Sequence, residues 1–148
     1  PTRRSSDLLR LGVVLSPAGG ALAMMLPIFR FGLGGPIGAG SQYMSWVTLE
    51  DVVRAMRWLI KARQVRGPVN MTAPSPVTNR AFAWALGSAL HRPAILPAPS
   101  FALRLALGKD AADEMLLASV RAVPDVLGRE GFVFRHGDLD TAFAEILE

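Results

Sequence analysis

Apolar residues in this chain form short continuous runs that alternate with segments of helical spacing. The run Leu9–Leu15 (LRLGVVL) closes at Ser16 and Pro17, which is typical of a strand buried on both faces. The segments Tyr43–Val47 and Val69–Thr72 predict two further short strands. Because strands that alternate with helices are joined by crossovers, we expect these three strands to lie in one largely parallel sheet of an α/β fold.

Thr48 begins the best-specified helix of the chain. It is a capping residue, Glu50 and Asp51 fall in the first turn, and basic residues near the end match the helix dipole. Helical spacing predicts an apolar stripe that faces the core, made up of Val52, Val53, Met56, Leu59 and Ile60. Further helices are predicted over 21–26 (bent or ended by Pro27), from Thr78 to about 90, over 101–107, over 110–119 and over 139–147.

The number of predicted strands is low for a complete sheet. Three strands are fewer than the roughly 5–6 of an average sheet. We therefore expect an α/β fold that lacks its first strands, so that the chain is a truncated piece of a larger protein. A free-standing small α/β domain is the less favoured alternative, because its sheet would have exposed edges.

Composition and charge exclude several classes of function. The chain has no cysteine, so disulfides and thiolate metal sites are ruled out. The net charge of +4 comes from 14 Arg and 2 Lys against 12 acidic residues, but the arginines are scattered, which favours a solvated surface over a nucleic-acid partner. Glycine and proline interrupt the apolar stretches between Arg10 and Glu50, so we expect no membrane span. Nothing in the sequence argues for secretion, and we expect a cytoplasmic protein.

The first eight residues differ in character from the rest of the chain. Pro1–Leu8 (PTRRSSDL) fits neither a signal peptide nor the start of a periodic helix. It resembles one translated reading frame of a common sequencing adapter, so we expect a non-native tail that packs against nothing. A natural basic arm is the alternative. Without this octet the balance is 14 basic against 11 acidic residues, so part of the basic excess belongs to the tail.

The glycine-rich segment and the two histidines are candidates for a dinucleotide site and a metal site, but their surroundings in the sequence argue against both. The glycine-rich segment from Gly32 to Gly38 is superficially like a dinucleotide-binding turn, but no strand precedes it and Pro36 lies inside it, so we favour a substrate-side loop. No acids are spaced to join His91 or His136, the only histidines, in a metal site, and we expect no metal. There is also no Gly-x-Ser-x-Gly sequence for a nucleophilic serine.

Three segments together carry a family resemblance. Residues 10–17 (RLGVVLSP) are similar to the strand after the Tyr-x-x-x-Lys helix of extended short-chain dehydrogenases. Residues 45–53 (SWVTLEDVV) are similar to the strand-to-helix segment of that family, with Thr48 in place of the usual His, and residues 69–74 (VNMTAP) to its next strand and loop. More narrowly, the chain resembles the C-terminal half of the nucleoside-diphosphate-sugar epimerase-like subgroup, which ends in a small domain of unassigned function.

The resemblance implies a fold and a division into parts. It predicts the C-terminal portion of a Rossmann-like, doubly wound parallel sheet over residues 9–92. It also predicts a small, mostly helical C-terminal domain over 93–148. The nucleotide-binding half and the catalytic Tyr and Lys would lie outside the chain. The chain alone is expected to be inactive.

The resemblance also implies site residues, because ligands of such sheets bind at the carboxyl ends of the strands. Leu11, Gly12 and Val13 are expected near the nicotinamide of NADP or NAD in the whole protein. Substrate-side residues are expected to be Gln42, Ser45, Trp46 and Asn70. Trp46 could equally be a core aromatic residue, and Asn70 could simply satisfy loop backbone. The whole protein would be an oxidoreductase or epimerase acting on a small molecule, or alternatively a non-catalytic dinucleotide-binding sensor or scaffold.

Overall fold

The computed structural model describes residues 8–98, 101, 104, 105 and 108–148. The strands are β1 (Leu9–Leu11), β2 (Val13–Leu15), β3 (Tyr43–Met44), β4 (Trp46–Thr48), β5 (Val69–Met71) and β6 (Val77–Thr78). The helices with defined bounds are α1 (Gly20–Arg30), α2 (Leu49–Lys61), α3 (Asn79–Ala89), α4 (Lys109–Leu117), α5 (Asp125–Arg129) and α6 (Leu139–Ile146). The fold class is α/β, as the sequence predicted.

Two parallel ladders meet at Gly12. β1 pairs in parallel with β5, and β2 pairs in parallel with β4. The Trp46 carbonyl also accepts a hydrogen bond from the Ala73 amide, 2.6 Å away. β4 is therefore hydrogen-bonded both to β2 and to the chain that follows β5. β4 thus lies between β2 and the chain that follows β5, so the two chain segments that pair as β1 and β5 separate where β2 begins.

The prediction of one continuous sheet was wrong in two respects. The described strands form three two-stranded ladders rather than one sheet, because Gly12 separates β1 from β2. The predicted strand Tyr43–Val47 is divided at Ser45: β3 pairs antiparallel with β6, and only β4 joins a parallel ladder. β6 itself was not predicted, because it is two residues long and is recognisable only from its partner.

α2 has the predicted cap but a different buried face. The Thr48 hydroxyl accepts the Asp51 amide, which confirms the cap. Val52 and Leu59 are buried as predicted, whereas Met56 is 38% exposed, which contradicts its predicted place in the core. Val53 and Ile60 are exposed as well. The buried stripe runs instead through Val52, Ala55 and Leu59, because the small Ala55 lets the helix approach the sheet on that side.

α1 and the C-terminal helices also depart from the predicted bounds. Pro27 lies inside α1, which continues to Arg30 because Leu26 and Phe29 on the next turn are buried. α3 begins after Thr78, whose hydroxyl accepts the Ala81 amide, as the cap prediction required. α5 was not predicted. The helix predicted over 101–107 falls largely outside the described residues, as do residues 1–7 of the predicted tail, while Leu8 is 41% exposed.

The core has two clusters of buried apolar side chains. One joins α1, α3 and α6 around Trp46, with Phe82 and Phe143 in edge-to-face contact at 5.4 Å between ring centroids. The other joins α2, β5 and α5 around Val69 and Leu127. Both clusters contain residues after 123, so the C-terminal segment is part of the core of the sheet region. Among the described residues, no helix is both long enough and apolar enough to cross a bilayer.

Candidate functional site

Gly12 lies between β1 and β2 and packs against the residue that precedes β4. A Cβ at this position would stand 2.6 Å from the Ser45 carbonyl oxygen and 3.0 Å from the Thr72 side chain. Such distances leave no room for a side chain, so the close approach of the three segments requires glycine. We call Gly12, Ser45 and Thr72, with Asn70 beside them, the strand junction. It lies at the carboxyl ends of β1 and β5 and at the amino ends of β2 and β4.

An extended segment, Ser119–Val123, crosses the strand junction, and we call it the strap. The Ser45 hydroxyl donates to the Val120 carbonyl at 2.7 Å and accepts from the Ala122 amide at 2.8 Å. Thr72 and Asn70 bind the strap further along, to the carbonyl oxygens of Ala122 (3.4 Å) and Val123 (3.2 Å). The polar side chains of the strand junction are therefore bonded to the C-terminal segment.

Tyr43 holds the first half of the strap by hydrogen bonds, and its ring lies under the Arg121 side chain. Its amide donates to the Ser119 hydroxyl, and its carbonyl accepts from the Val120 amide, both at 3.1 Å. The guanidinium carbon of Arg121 lies 5.2 Å from the centroid of the Tyr43 ring. This is a cation–π distance, so the strap holds an arginine over an aromatic face at the edge of the junction.

The three predicted cofactor residues lie together at the strand junction. Leu11 is 52% exposed, although it is apolar. The Gly12 amide donates to the Met71 carbonyl at 3.2 Å, and the Val13 amide donates to the Ser45 carbonyl at 2.8 Å. Both amides are thus already engaged. What this segment offers a ligand is the exposed Leu11 side chain and a glycine that permits close approach.

The four predicted substrate-side residues are spread over three environments. Ser45 and Asn70 bind the strap through their side chains. The Gln42 side-chain amide donates to the Ile37 carbonyl at 3.2 Å and so braces its own loop. Trp46 is fully buried, with its indole N–H bonded to the Ser75 carbonyl at 2.9 Å. In this conformation it is a core residue with no surface for a ligand to contact.

A second polar cluster, of which the sequence carries little sign, joins α2 to the C-terminal segment. The Asp51 carboxylate is 1% exposed and accepts the backbone amides of Arg135 and His136, each at 2.9 Å. Nδ1 of His136 lies 2.9 Å from the Thr48 hydroxyl, and Nε2 lies 3.0 Å from a Glu145 carboxylate oxygen. These partners fit the tautomer with its proton on Nε2. Sequence reasoning treated Asp51 and His136 as local helix and turn residues, because the contacts that join α2 to the C-terminal segment span 84 to 88 positions.

Surface charges next to this cluster are paired. A hydrogen bond to Glu50 and the nearby charge of Glu145 raise the pKa of Arg135 above its already high ordinary value. A hydrogen bond from His136, followed by the charge of Arg135, lowers the pKa of Glu145. The cluster therefore ties the α2 N-terminus to the turn before α6. No group of three His, Cys, Asp or Glu in the described ranges is arranged to hold a metal ion.

Comparison with known proteins relates this arrangement to one group of proteins. The sequence pattern of a family described as "Domain of unknown function (DUF1731)" matches residues 98–146, which include the strap. The epimerase family protein Mb2239 of Mycobacterium bovis is 52% identical over 135 residues, which cover 91% of this chain and 44% of that protein.

Two solved structures have the same fold over nearly the whole chain. The human epimerase family protein SDR39U1, crystallised with NADPH, has a TM-score of 0.87 and 38% identity, covering 93% of this chain and 46% of its own. A nucleoside-diphosphate sugar epimerase from Corynebacterium glutamicum has a TM-score of 0.69 and 29% identity, covering 94% and 25% respectively. The chain thus spans less than half the length of these relatives.

Proposed function

We propose that this chain is the substrate-side part of an epimerase-like protein of the extended short-chain dehydrogenase/reductase type. In the complete protein, the strand junction would border the nicotinamide of NADPH or NADH and a small-molecule substrate. The finer assignment to the nucleoside-diphosphate-sugar epimerase-like subgroup is part of the proposal. The cytoplasmic location expected from the sequence stays a prediction.

The likeness to the human NADPH-bound structure carries this proposal. It extends over 93% of the chain at 38% identity and a TM-score of 0.87. That relative was crystallised with NADPH, so a nicotinamide cofactor is the first ligand to test at the strand junction.

The residues at the junction fit the face of a nicotinamide ring better than its polar amide. Leu11 offers an exposed apolar side chain, and Gly12 has no side chain to keep a ring at a distance. The amides of Gly12 and Val13 are already bonded within the strand junction, so they have no free N–H for a carboxamide. When bound, the cofactor supplies hydride-transfer chemistry. Leu11 and Gly12 would then position the ring and exclude water from its face.

The remaining parts of the site would come from the rest of the protein. A phosphate-binding glycine turn is needed to hold the pyrophosphate, and the strand–turn–helix unit formed by β2, Ser16–Gly19 and α1 lacks the Gly-x-Gly-x-x-Gly spacing of such a turn. Tyr43, the single tyrosine, is followed four residues later by Val47 rather than by a lysine. Proton transfer is therefore assigned to residues outside this chain. The chain alone is expected neither to turn over a substrate nor to bind a dinucleotide usefully.

The test compares the complete protein with the chain by calorimetric titration with NADPH. The complete protein should bind, and its Leu11→Asp variant should bind about tenfold more weakly or worse, because a carboxylate would be desolvated against the ring. Val133→Asp is the matched control, since Val133 is an apolar residue 73% exposed elsewhere on the surface. Micromolar binding by the chain alone, or equal losses in the two variants, would contradict the assignment. Binding without turnover of any substrate would favour the sensor or scaffold alternative.

A further inference from the structure

Arg121 stands out among the arginines that contact an aromatic ring. Arg54 also lies over a ring, that of Phe132, but its guanidinium is bridged to Asp51 at 2.7 Å. Arg121 has no carboxylate within 4.0 Å of its guanidinium among the residues that the structure describes. Its charge is thus oriented by stacking and is not neutralised by a described acid.

The strap fixes the backbone on both sides of this arginine. Val120 is held through its amide and carbonyl by Tyr43 and Ser45, and Ala122 is held through its amide by Ser45. Because both neighbours are anchored, the backbone position from which the Arg121 side chain extends is fixed. Part of the ordering cost of binding is therefore met before a ligand arrives.

The cation–π contact leaves the N–H donors of the guanidinium available. The guanidinium carbon of Arg121 lies 5.2 Å from the centroid of the Tyr43 ring, and its five N–H donors have no hydrogen-bond acceptor among the residues that the structure describes. Tyr43 is itself 36% exposed, and Arg121 is exposed, so the edge is open to solvent. A planar fork of donors of this kind matches two oxygens of a phosphate or carboxylate.

We propose that Arg121, held over Tyr43 by the strap, binds an oxyanion of the small-molecule ligand that occupies the strand junction. The oxyanion is a phosphate or carboxylate group, and this role is a specific one for the C-terminal segment that matches the family of unknown function. The inference rests on the proposed function only in taking the strand junction as the ligand side. Ser45, Thr72 and Asn70 then position the arginine through the strap.

The anion site can be tested on this chain by nuclear magnetic resonance. Tyr43 is the only tyrosine, so selective labelling of tyrosine gives one unambiguous set of ring signals. Pyrophosphate, inorganic phosphate and succinate are titrated separately, with sodium chloride at matched ionic strength as the screening control. We expect saturable shifts of the Tyr43 ring and of the Arg121 side-chain N–H signal with at least one of the three anions. The comparison among them distinguishes phosphate from carboxylate.

Variants separate specific binding from general charge effects. Arg121→Gln should weaken anion binding about tenfold or more, and Arg121→Lys should weaken it less, because lysine keeps the charge but loses the fork. Arg63→Gln, which removes an exposed arginine in the turn after α2, should leave binding unchanged. Tyr43→Ala, read at the Arg121 side chain, should also weaken binding, and it serves as the second variant if Arg121→Gln disturbs the strap.

Several results would overturn the inference. These are the absence of saturable shifts in the unaltered chain, equal shifts with sodium chloride, and equal losses in the Arg63 and Arg121 variants. Failure here is distinct from failure of the proposed function. A complete protein that binds NADPH while Arg121 binds no anion would refute only the anion site. Anion binding without NADPH binding would refute only the cofactor assignment.

Discussion

Adding one methyl group at Gly12 should destabilise the fold measurably. In Gly12→Ala, the new Cβ would lie 2.6 Å from the Ser45 carbonyl oxygen, about 0.7 Å closer than a carbon–oxygen contact normally allows. That oxygen cannot easily withdraw, because it accepts the Val13 amide at 2.8 Å. The Thr72 side chain, at 3.0 Å, blocks movement in a second direction. The substitution must therefore push β2 away from β4 or from the end of β5.

The expected loss follows from two opposing effects. Forcing an extra methyl into a tightly packed site typically costs about 1–3 kcal/mol. Replacing glycine by alanine restricts the unfolded chain and returns roughly 0.4–1 kcal/mol. The free energy of unfolding should therefore fall by about 1–2 kcal/mol. For a chain of this size, Tm would drop by about 2–8 °C.

Urea unfolding followed by tryptophan fluorescence measures this loss, since Trp46 is next to Ser45 and fully buried. Gly137→Ala is the matched control, because a Cβ there meets no atom within 4 Å and its backbone has no positive φ. The control should be neutral or slightly stabilising. If Gly12→Ala lies within about 0.5 kcal/mol of the control, the close contacts at the strand junction are not what the structure indicates.

Three further predictions concern polar contacts of the buried residues Asp51, Trp46 and His136. Asp51→Asn should lower the free energy of unfolding by about 2 kcal/mol or more in the same urea assay, because two backbone amides lose a charged acceptor; a change below about 0.5 kcal/mol would contradict the assigned contacts. Trp46→Phe should cost about 1–3 kcal/mol through lost volume and the lost bond to the Ser75 carbonyl, whereas Trp84→Phe, at a site 58% exposed, should be nearly neutral. Both are measured by urea unfolding followed by circular dichroism, because Trp46→Phe removes the fluorescence reporter. Since the pKa of Glu145 is lowered on folding, its ionised form stabilises the fold above its unfolded pKa. This contribution disappears as pH falls through the lowered folded value, so the stability difference between the wild type and Glu145→Gln should shrink from neutral to acid pH, and a constant difference would refute the coupling.

Local signals in the sequence predicted the elements whose causes are local. The Thr48 and Thr78 caps lie within three residues of the amides they accept, and both helices begin where the sequence predicted. The buried face of α2 was harder to predict, because its sequence has two adjacent apolar stripes. Only contact with the sheet selects the one through Ala55 and leaves Met56 exposed.

The strand junction could be predicted only in outline. The resemblance indicated Leu11, Gly12 and Val13 as residues near a ligand, but the split of the ladder at Gly12 depends on Ser45 and Thr72. The strap was not predictable, because Arg121 and Tyr43 meet across 78 positions of sequence. Asn70 and Thr72 both lie in the predicted strand Val69–Thr72, and one sequence gives no reason to prefer either as a site residue.

The long separation between Ser45 or Asp51 and their partners has a consequence for synthesis. Their hydrogen bonds join residues that lie 75–85 positions apart in the chain. At about 5–20 residues per second, a ribosome needs roughly 4–17 s to make the partner after the first residue has been added. During that interval β4 and the first turn of α2 exist without the groups that satisfy their buried oxygens. The nascent chain therefore completes its native strand junction only after residues 119–123 emerge, and Asp51 gains its two amide donors only after Arg135 and His136 emerge.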